Sequence, residues 1–178
     1  NDMLDLMFVA SFGNWKFDGD ANGNYQETEY NSEGQAVGYT TTEYAYALDG
    51  LYVGDMPQTS YVLGVTLKPI KDLRIQAIHK MYDKNYSDWS PSAREFDGTN
   101  DDADRAQVWE APSYNRLDLH MSYKLPKVKD LDMMLTANIF NVLDEVYVQD
   151  AVDNSQYNGY GSKNHLPHNA EVFLGTPR

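Results

Sequence analysis

The amino-acid sequence predicts an all-β fold, an antiparallel meander of strands, and three observations lead to it. Apolar and polar residues alternate along much of the chain, which is the period of a strand with two different faces. The connections between alternating segments are short at one end and long at the other. Aromatic residues make up 13% of the chain although its mean hydropathy is only −0.62. Many aromatic residues in a polar sequence are typical of a sheet with one face exposed to water.

The alternating segments give the predicted strands. In residues 117–125, apolar side chains share one face and Asp118, His120, Ser122 and Lys124 share the other. A helix would need apolar residues three and four positions apart, which these segments lack. The same alternation, or a strand-like composition, predicts further strands at 4–12, 39–46, 61–68, 73–77 and 131–139.

The predicted connections differ in length. Residues 68–72 and 126–130 are short, charged turns with a proline, and both lie at the same end of the predicted sheet. The excursions at the other end are long, from about residue 87 to 113 and from about 150 to 169. This asymmetry is typical of outer-membrane barrels. It fits equally a water-soluble meander with an apolar core face and a ligand-binding rim.

Composition excludes several classes of protein. The net charge of −13 opposes nucleic-acid binding, which depends on Lys and Arg. The absence of cysteine excludes disulfides and thiolate metal sites. The longest clean apolar run, residues 6–10, is far below the roughly 18 residues of a membrane-spanning helix. The acidic start carries no signal segment, so we expect either that a signal was removed or that Asn1 is not the natural N-terminus.

Seven segments, in order, resemble the last strands of TonB-dependent outer-membrane receptors of the Bacteroidetes type. The strongest is ANIFNVLDEVY at residues 137–147, which is similar to the family's "NxxNLLDxxY". LDGLYVGDMPQT at 48–59 resembles "DGLxVGDxPQT". The others are KPIKDL at 68–73, NYSDWSP at 85–91, WEAPSY at 109–114, LDLH at 117–120 and VFLGTPR at 172–178.

The resemblance implies that residues 1–178 form the C-terminal part of a large transmembrane β-barrel in the bacterial outer membrane. It implies uptake of a scarce nutrient, such as an iron chelate, cobalamin or an oligosaccharide. The implied partners are the rest of the barrel and its plug, the TonB complex acting through that plug, outer-membrane lipid and the small nutrient ligand. About six or seven strands can be counted, against about 22 in large plugged transporters, so we expect the chain to be cut at both ends.

Two groups of acidic residues are considered as metal sites, and neither is expected to bind a metal ion. Asp18, Asp20, Asn22 and Glu29 match the spacing of a calcium loop, but the predicted strand at 39–46 stands where a helix should follow. We expect a polar hairpin loop there and no bound metal. A second acidic group, at positions 97, 101, 102 and 104, is interpreted as a solvated loop.

The histidines give no metal site in the sequence either. His165 and His168 flank a proline that breaks the helical spacing a two-histidine site would use. His120 is interpreted as a hydrogen-bonded histidine of the sheet's polar face. No cofactor is expected, and no catalytic motif supports an enzyme.

Aromatic residues supply the remaining candidates. Trp89 and Trp109 lie beyond predicted strand ends and are the candidate ligand-binding residues. Trp15 and Tyr147 suit a membrane-interface girdle. The alternative function is a secreted or periplasmic all-β binding module, with carbohydrate as one candidate ligand and the loop aromatics as its platform.

Overall fold

The computed structural model describes residues 3–97, 103–155 and 165–178, and these ranges form an all-β structure. Helical structure in them is confined to short 3-10 turns, such as Pro91–Arg94 and Pro167–Asn169. No helix in the described ranges is long and apolar enough to cross a membrane. The strands are β1 (Leu4–Phe12), β2 (Ala21–Tyr30), β3 (Ala36–Tyr46), β4 (Thr59–Leu67), β5 (Leu73–Asp83), β6 (Asn85–Tyr86), β7 (Glu95–Phe96), β8 (Glu110–Ala111), β9 (Tyr114–Lys124), β10 (Met134–Ile139), β11 (Val148–Asp153) and β12 (Ala170–Leu174).

Five of these strands form the main sheet, in the order β1-β4-β5-β9-β10. Every neighbouring pair is antiparallel, so the chain runs up and down without a crossover. The sheet is open, with β1 and β10 at its edges. The predicted all-β antiparallel meander is therefore confirmed.

The register places the alternating residues on two opposite faces. One transverse row runs Leu6, Val65, Ala77, Leu119, Ile139, and the parallel rows are also largely apolar. We call this side the apolar face. Its side chains are uncovered in the described ranges, as the exposures of Leu6 (70%) and Phe8 (68%) make plain. A sheet of an ordinary soluble domain buries one face against a second layer, and this one does not.

The opposite side, the polar face, carries Asp118, His120, Ser122 and Lys124 of β9, as the alternation predicts. Some of its polar groups are nevertheless buried or hydrogen-bonded. Asp118 is buried to 1% exposure, and the His120 ring lies 2.8 Å from the amide oxygen of Asn138. The predicted hydrogen-bonded histidine is confirmed.

The turns differ from the prediction in detail. The connections β4–β5 and β9–β10 do lie at one end of the main sheet. However, β10 begins at Met134 and not at Leu131, because Val128 and Leu131 pair with each other inside the turn. Strand β5 continues six residues past the predicted end, to Asp83, where it still pairs with β4.

The other end of the main sheet carries three excursions of the chain, residues 13–58, 84–113 and 140–178. Their strands form small sheets of their own, β2-β3-β7, β6-β8 and β11-β12. Together these excursions make up what we call the loop layer. The apolar cluster of buried residues lies here and not on the main sheet; its members are Leu48, Leu51, Tyr86, Trp89 and Val108.

Candidate functional site

The first two excursions of the loop layer are joined by an apolar core. Residues 13–58 supply Leu48 and Leu51, and residues 84–113 supply Tyr86, Trp89 and Val108. The rings of Tyr52, from the first excursion, and Tyr86, from the second, stack with 4.1 Å between their centroids and add an aromatic contact between the two excursions. The described residues of the third excursion, 140–155 and 165–178, contribute no member to this cluster.

A close backbone approach explains why glycine occupies position 54. A Cβ atom there would collide with the carbonyl oxygen of Ser87 and lie 2.7 Å from the Cα atom of Asp88. The next residue, Asp55, has a φ of 63° and donates its N–H to the carbonyl of Tyr86. Glycine at 54 lets the first two excursions meet through their backbones.

Polar groups attach the third excursion to the second. The N–H of Asp88 donates to the carbonyl of Ala151 at 2.7 Å, and the N–H of Asp153 donates to the carbonyl of Asp88 at 2.7 Å. The side-chain amide of Asn85 donates to the carbonyl of Gln149 at 3.3 Å. These bonds form a short parallel bridge around Asp88 and Val152.

Beside this bridge lies a largely buried group of four ionisable side chains and one serine, which we call the clasp: Arg94, Asp104, Asp153, Ser155 and His165. Arg94 follows the core residue Trp89 by one 3-10 turn, and its Nη1 atom is 3.0 Å from Asp104 Oδ1. His165 Nε2 is 2.9 Å from Asp104 Oδ2, and its Nδ1 is 2.6 Å from Asp153 Oδ2. Ser155 donates its N–H and its hydroxyl to the two oxygens of Asp153.

The electrostatics of the clasp follow from these contacts. Burial by itself would lower the pKa of His165, but the hydrogen bonds with Asp153 and Asp104 outweigh it and raise that pKa. Burial would raise the pKa of Asp153, yet the hydrogen bonds from His165 and Ser155 lower it. The Arg94 side chain is fully buried, and burial lowers its pKa despite the two carboxylates. Arginine stays charged even so, because its ordinary pKa is above about 12.

No protein-family model, curated protein or solved structure matches this chain.

A second charged centre lies on the polar face of the main sheet. The Asp118 carboxylate accepts from Lys80 Nζ at 3.1 Å and faces Arg116 Nη2 at 3.2 Å. Its other oxygen accepts the N–H of Asn141 at 3.0 Å. Asn141 has a φ of 48°, which asparagine tolerates better than most residues, and its side chain bonds to Glu145 and Thr176. Asp118 therefore ties β9 to the start of the third excursion.

An open concavity of about 510 Å³ lies over the β2-β3-β7 sheet. Asn22, Asn24 and Glu43 supply amide and carboxylate groups to its lining, and Tyr44 and Phe96 supply rings. Polar groups beside rings suit a ligand rich in hydroxyl groups. No local sequence pattern marks this surface, because its residues come from three strands.

The predicted ligand-binding tryptophans lie in different surroundings. Trp89 is only 7% exposed, its ring packs edge-on against Phe17, and its Nε1–H donates to the carbonyl of Tyr52. The Trp89 ring is part of the buried core and is not accessible to a ligand. Trp109 is partly exposed, and its ligand role stays a prediction.

The two aromatic residues assigned to a girdle also differ. Trp15 is 41% exposed, as an interface residue requires. Tyr147 is not suited to that place, because it is 5% exposed and stacks on Tyr114 with 4.3 Å between ring centroids. Arg116 also donates to its hydroxyl at 3.3 Å.

The calcium-like segment is mainly strand and not the predicted loop. Residues from Ala21 onward pair with β3 along their length. The carboxylate of Asp20 accepts two hydrogen bonds from Arg105, at 2.7 and 2.6 Å, and these bonds lower the pKa of Asp20. Across residues 3–97, 103–155 and 165–178, no three His, Asp or Glu side chains are arranged to hold a metal ion.

The second acidic group was interpreted as a solvated loop, and for Asp104 that interpretation is wrong. Asp104 is a member of the clasp, with contacts to both Arg94 and His165. Asp101 and Asp102 lie outside the described residues. Sequence reasoning also passed over the clasp histidine, because its Asp104 contact joins residues 61 positions apart.

Proposed function

We propose that this chain forms part of the wall and outer loops of a TonB-dependent transporter in the bacterial outer membrane. The transporter takes up a scarce nutrient, such as an iron chelate, cobalamin or an oligosaccharide. The observation that carries the proposal is the uncovered apolar face of the main sheet. The choice of the TonB-dependent family rests on the seven motif resemblances.

The apolar face supports a lipid-facing role by its size and composition. Large side chains along it, including Leu6, Phe8, Leu63 and Leu135, are each about half exposed or more. Soluble monomers rarely expose contiguous apolar patches beyond a few hundred Å². Hydrocarbon is the surrounding that removes the cost of exposing such side chains to water.

The edges and ends of the main sheet agree with this role. Within the described ranges β1 and β10 each pair on one side only. Unpaired strand edges are costly in lipid, so further strands are expected to continue the sheet on both sides. The short turns would then face the periplasm, and the loop layer would face the exterior.

The alternative, a secreted or periplasmic ligand-binding module, is favoured by one observation. The concavity lined by Asn22, Asn24, Glu43, Tyr44 and Phe96 offers a ligand surface with no need of a membrane. In that case the apolar face would need a second protein layer to cover it.

Arginine substitutions on opposite faces separate the two functions. Leu119 lies in the middle row of the apolar face, and Thr136 lies on the polar face of the neighbouring strand. In the intact gene product, Leu119→Arg should reduce assembly in the outer membrane, since a lipid-facing arginine near mid-bilayer costs about 2–4 kcal/mol. Thr136→Arg is the matched control and should assemble normally.

The measurement is the amount of folded, heat-modifiable protein in the outer-membrane fraction. If Leu119→Arg yields a soluble, folded monomer, the transporter proposal fails. The same holds if the wild-type protein is recovered from the soluble fraction. If the transporter proposal holds, saturable uptake of one labelled candidate nutrient would identify the class of nutrient that is transported.

A further inference from the structure

Polar contacts join the third excursion to the second. Its described residues contribute nothing to the apolar cluster that joins the first two excursions. Besides the approach of β11 to β8, its contacts with the second excursion include the backbone bonds around Asp88, the Asn85 side chain and the clasp. A change in the charge of the clasp therefore acts directly on the attachment of the β11-β12 hairpin.

The clasp geometry favours the doubly protonated form of His165, although the Ser155 hydroxyl also lies 2.8 Å from Nδ1 and could donate to it in the neutral form. Each ring nitrogen faces a carboxylate oxygen, Asp153 at 2.6 Å and Asp104 at 2.9 Å. A neutral imidazole has one N–H, so one carboxylate would then face a ring lone pair. The imidazolium has two N–H groups and satisfies both carboxylates.

We propose that the clasp is a pH-sensitive lock on the loop layer. While His165 carries its second proton, the lock holds residues 84–113 to the β11-β12 hairpin. Loss of that proton releases the hairpin. The lock goes beyond the transport function proposed above and does not depend on it, because every group in it belongs to the described loop layer.

The charge balance supports this behaviour. The charged groups that face His165 are Arg94 from the 3-10 turn, Asp104 from the same excursion and Asp153 from β11. With the imidazolium, two positive charges meet two negative charges, and the buried group is neutral. After deprotonation the group has a net negative charge, which burial makes costly, and one carboxylate loses one of its donors, although Ser155 still donates to Asp153 and Arg94 to Asp104.

The direction of the pH dependence follows from the shifts. The pKa of His165 is raised in the folded protein, so the lock is fully present below the ordinary histidine pKa and is lost as pH rises through the raised one. The pKa of Asp153 is lowered, so its contribution persists until pH falls through that lowered value. The lock is therefore closed between the lowered pKa of Asp153 and the raised pKa of His165, and it opens as pH rises through the latter.

Hydrogen exchange in the intact protein tests the lock at two amides beside it, Asp88 and Asp153, which bond across the two excursions. Their protection factors, corrected for intrinsic exchange, should be constant below the raised pKa of His165. Above the His165 pKa they should fall by up to about tenfold for each pH unit. In His165→Gln they should already be low and should no longer vary with pH. The exposed His168→Gln is the matched control and should behave as wild type.

Histidine titration by NMR gives a second measurement that does not rely on removing the buried ring. In the wild type the His165 ring should titrate above the ordinary value for histidine. In Asp104→Asn its midpoint should fall, because one of the two carboxylates is lost. Wild-type protection that stays constant as pH rises through the measured His165 midpoint, or a midpoint that Asp104→Asn leaves unchanged, overturns the lock.

Discussion

Removal of the charge of Asp118 gives a direct measure of what the polar face contributes to stability. The carboxylate is 1% exposed and lies 3.1 Å from Lys80 Nζ and 3.2 Å from Arg116 Nη2. The substitution Asp118→Asn keeps the size of the side chain and one acceptor oxygen for the N–H of Asn141. It replaces the oxygen that faces the two cations with an NH2 group, so it removes both the charge and the acceptor on that side.

The expected loss can be worked out from these contacts. Breaking a buried ion pair by removing one partner costs about 3–5 kcal/mol when the other charge stays buried. Here the side chains of Lys80 and Arg116 are 23% and 24% exposed, so both recover part of their hydration. We therefore expect Asp118→Asn to lower the free energy of unfolding by about 2 kcal/mol. Asp118→Ala should cost about 1 kcal/mol more, because the buried N–H of Asn141 then loses its acceptor.

The assay is urea unfolding of the intact protein, followed by tryptophan fluorescence in the solvent or detergent in which it is folded. Asp132→Asn is the matched control. Asp132 pairs with Lys127 at 3.6 Å, and their side chains are 62% and 57% exposed, so the loss should be below about 0.5 kcal/mol. Equal midpoints for the two asparagine variants would refute the argument that burial makes the Asp118 contacts strong.

Three further predictions concern the loop layer. Gly54→Ala should lower the free energy of unfolding by about 2 kcal/mol or more, because the added Cβ atom has no room. Gly38→Ala is the control for thermal unfolding and should change this free energy little, because the nearest atom to its added Cβ lies 3.7 Å away. Trp89→Ala should cost about 3–5 kcal/mol in urea unfolding as a core truncation, and a much smaller loss for Trp109→Ala would agree with their different exposure. The pKa of Asp20 is lowered, so its contribution to stability should be present above about pH 4 and fall as the pH drops below that; Asp20→Asn should remove this acid-dependent part of an unfolding-versus-pH profile.

The main sheet could be predicted from the sequence because its signal is local. Alternation at a spacing of two fixes which residues share a face, and the register bears this out from Leu6 across to Ile139. The predicted start of β10 was too early. Leu131 continues the alternation of the strand but pairs with Val128 inside the turn. Local pattern identifies strands better than it identifies their ends.

The clasp could not be predicted, because nothing local marks it. Arg94 and Asp104 lie ten positions apart, whereas His165 lies 61 positions beyond Asp104, and all three are among loops whose composition suggests solvated residues. Asp104 sits in a run of aspartates, and His165 precedes a proline. Their significance arises only when the excursions meet in three dimensions. A buried group held by contacts 61 residues apart leaves no period to detect.

The distribution of apolar side chains accounts for both the main sheet and the loop layer. In the main sheet they alternate, and the face they form stays uncovered, so this face gains stability only from a non-aqueous neighbour. In the loop layer they cluster and bury one another, which joins the first two excursions in water. Among the described residues, the third excursion supplies no member of that cluster. Its Tyr147 stacks on Tyr114 of the main sheet, but its attachment to the second excursion includes the polar contacts of the clasp, and a proton on His165 can change the strength of those contacts.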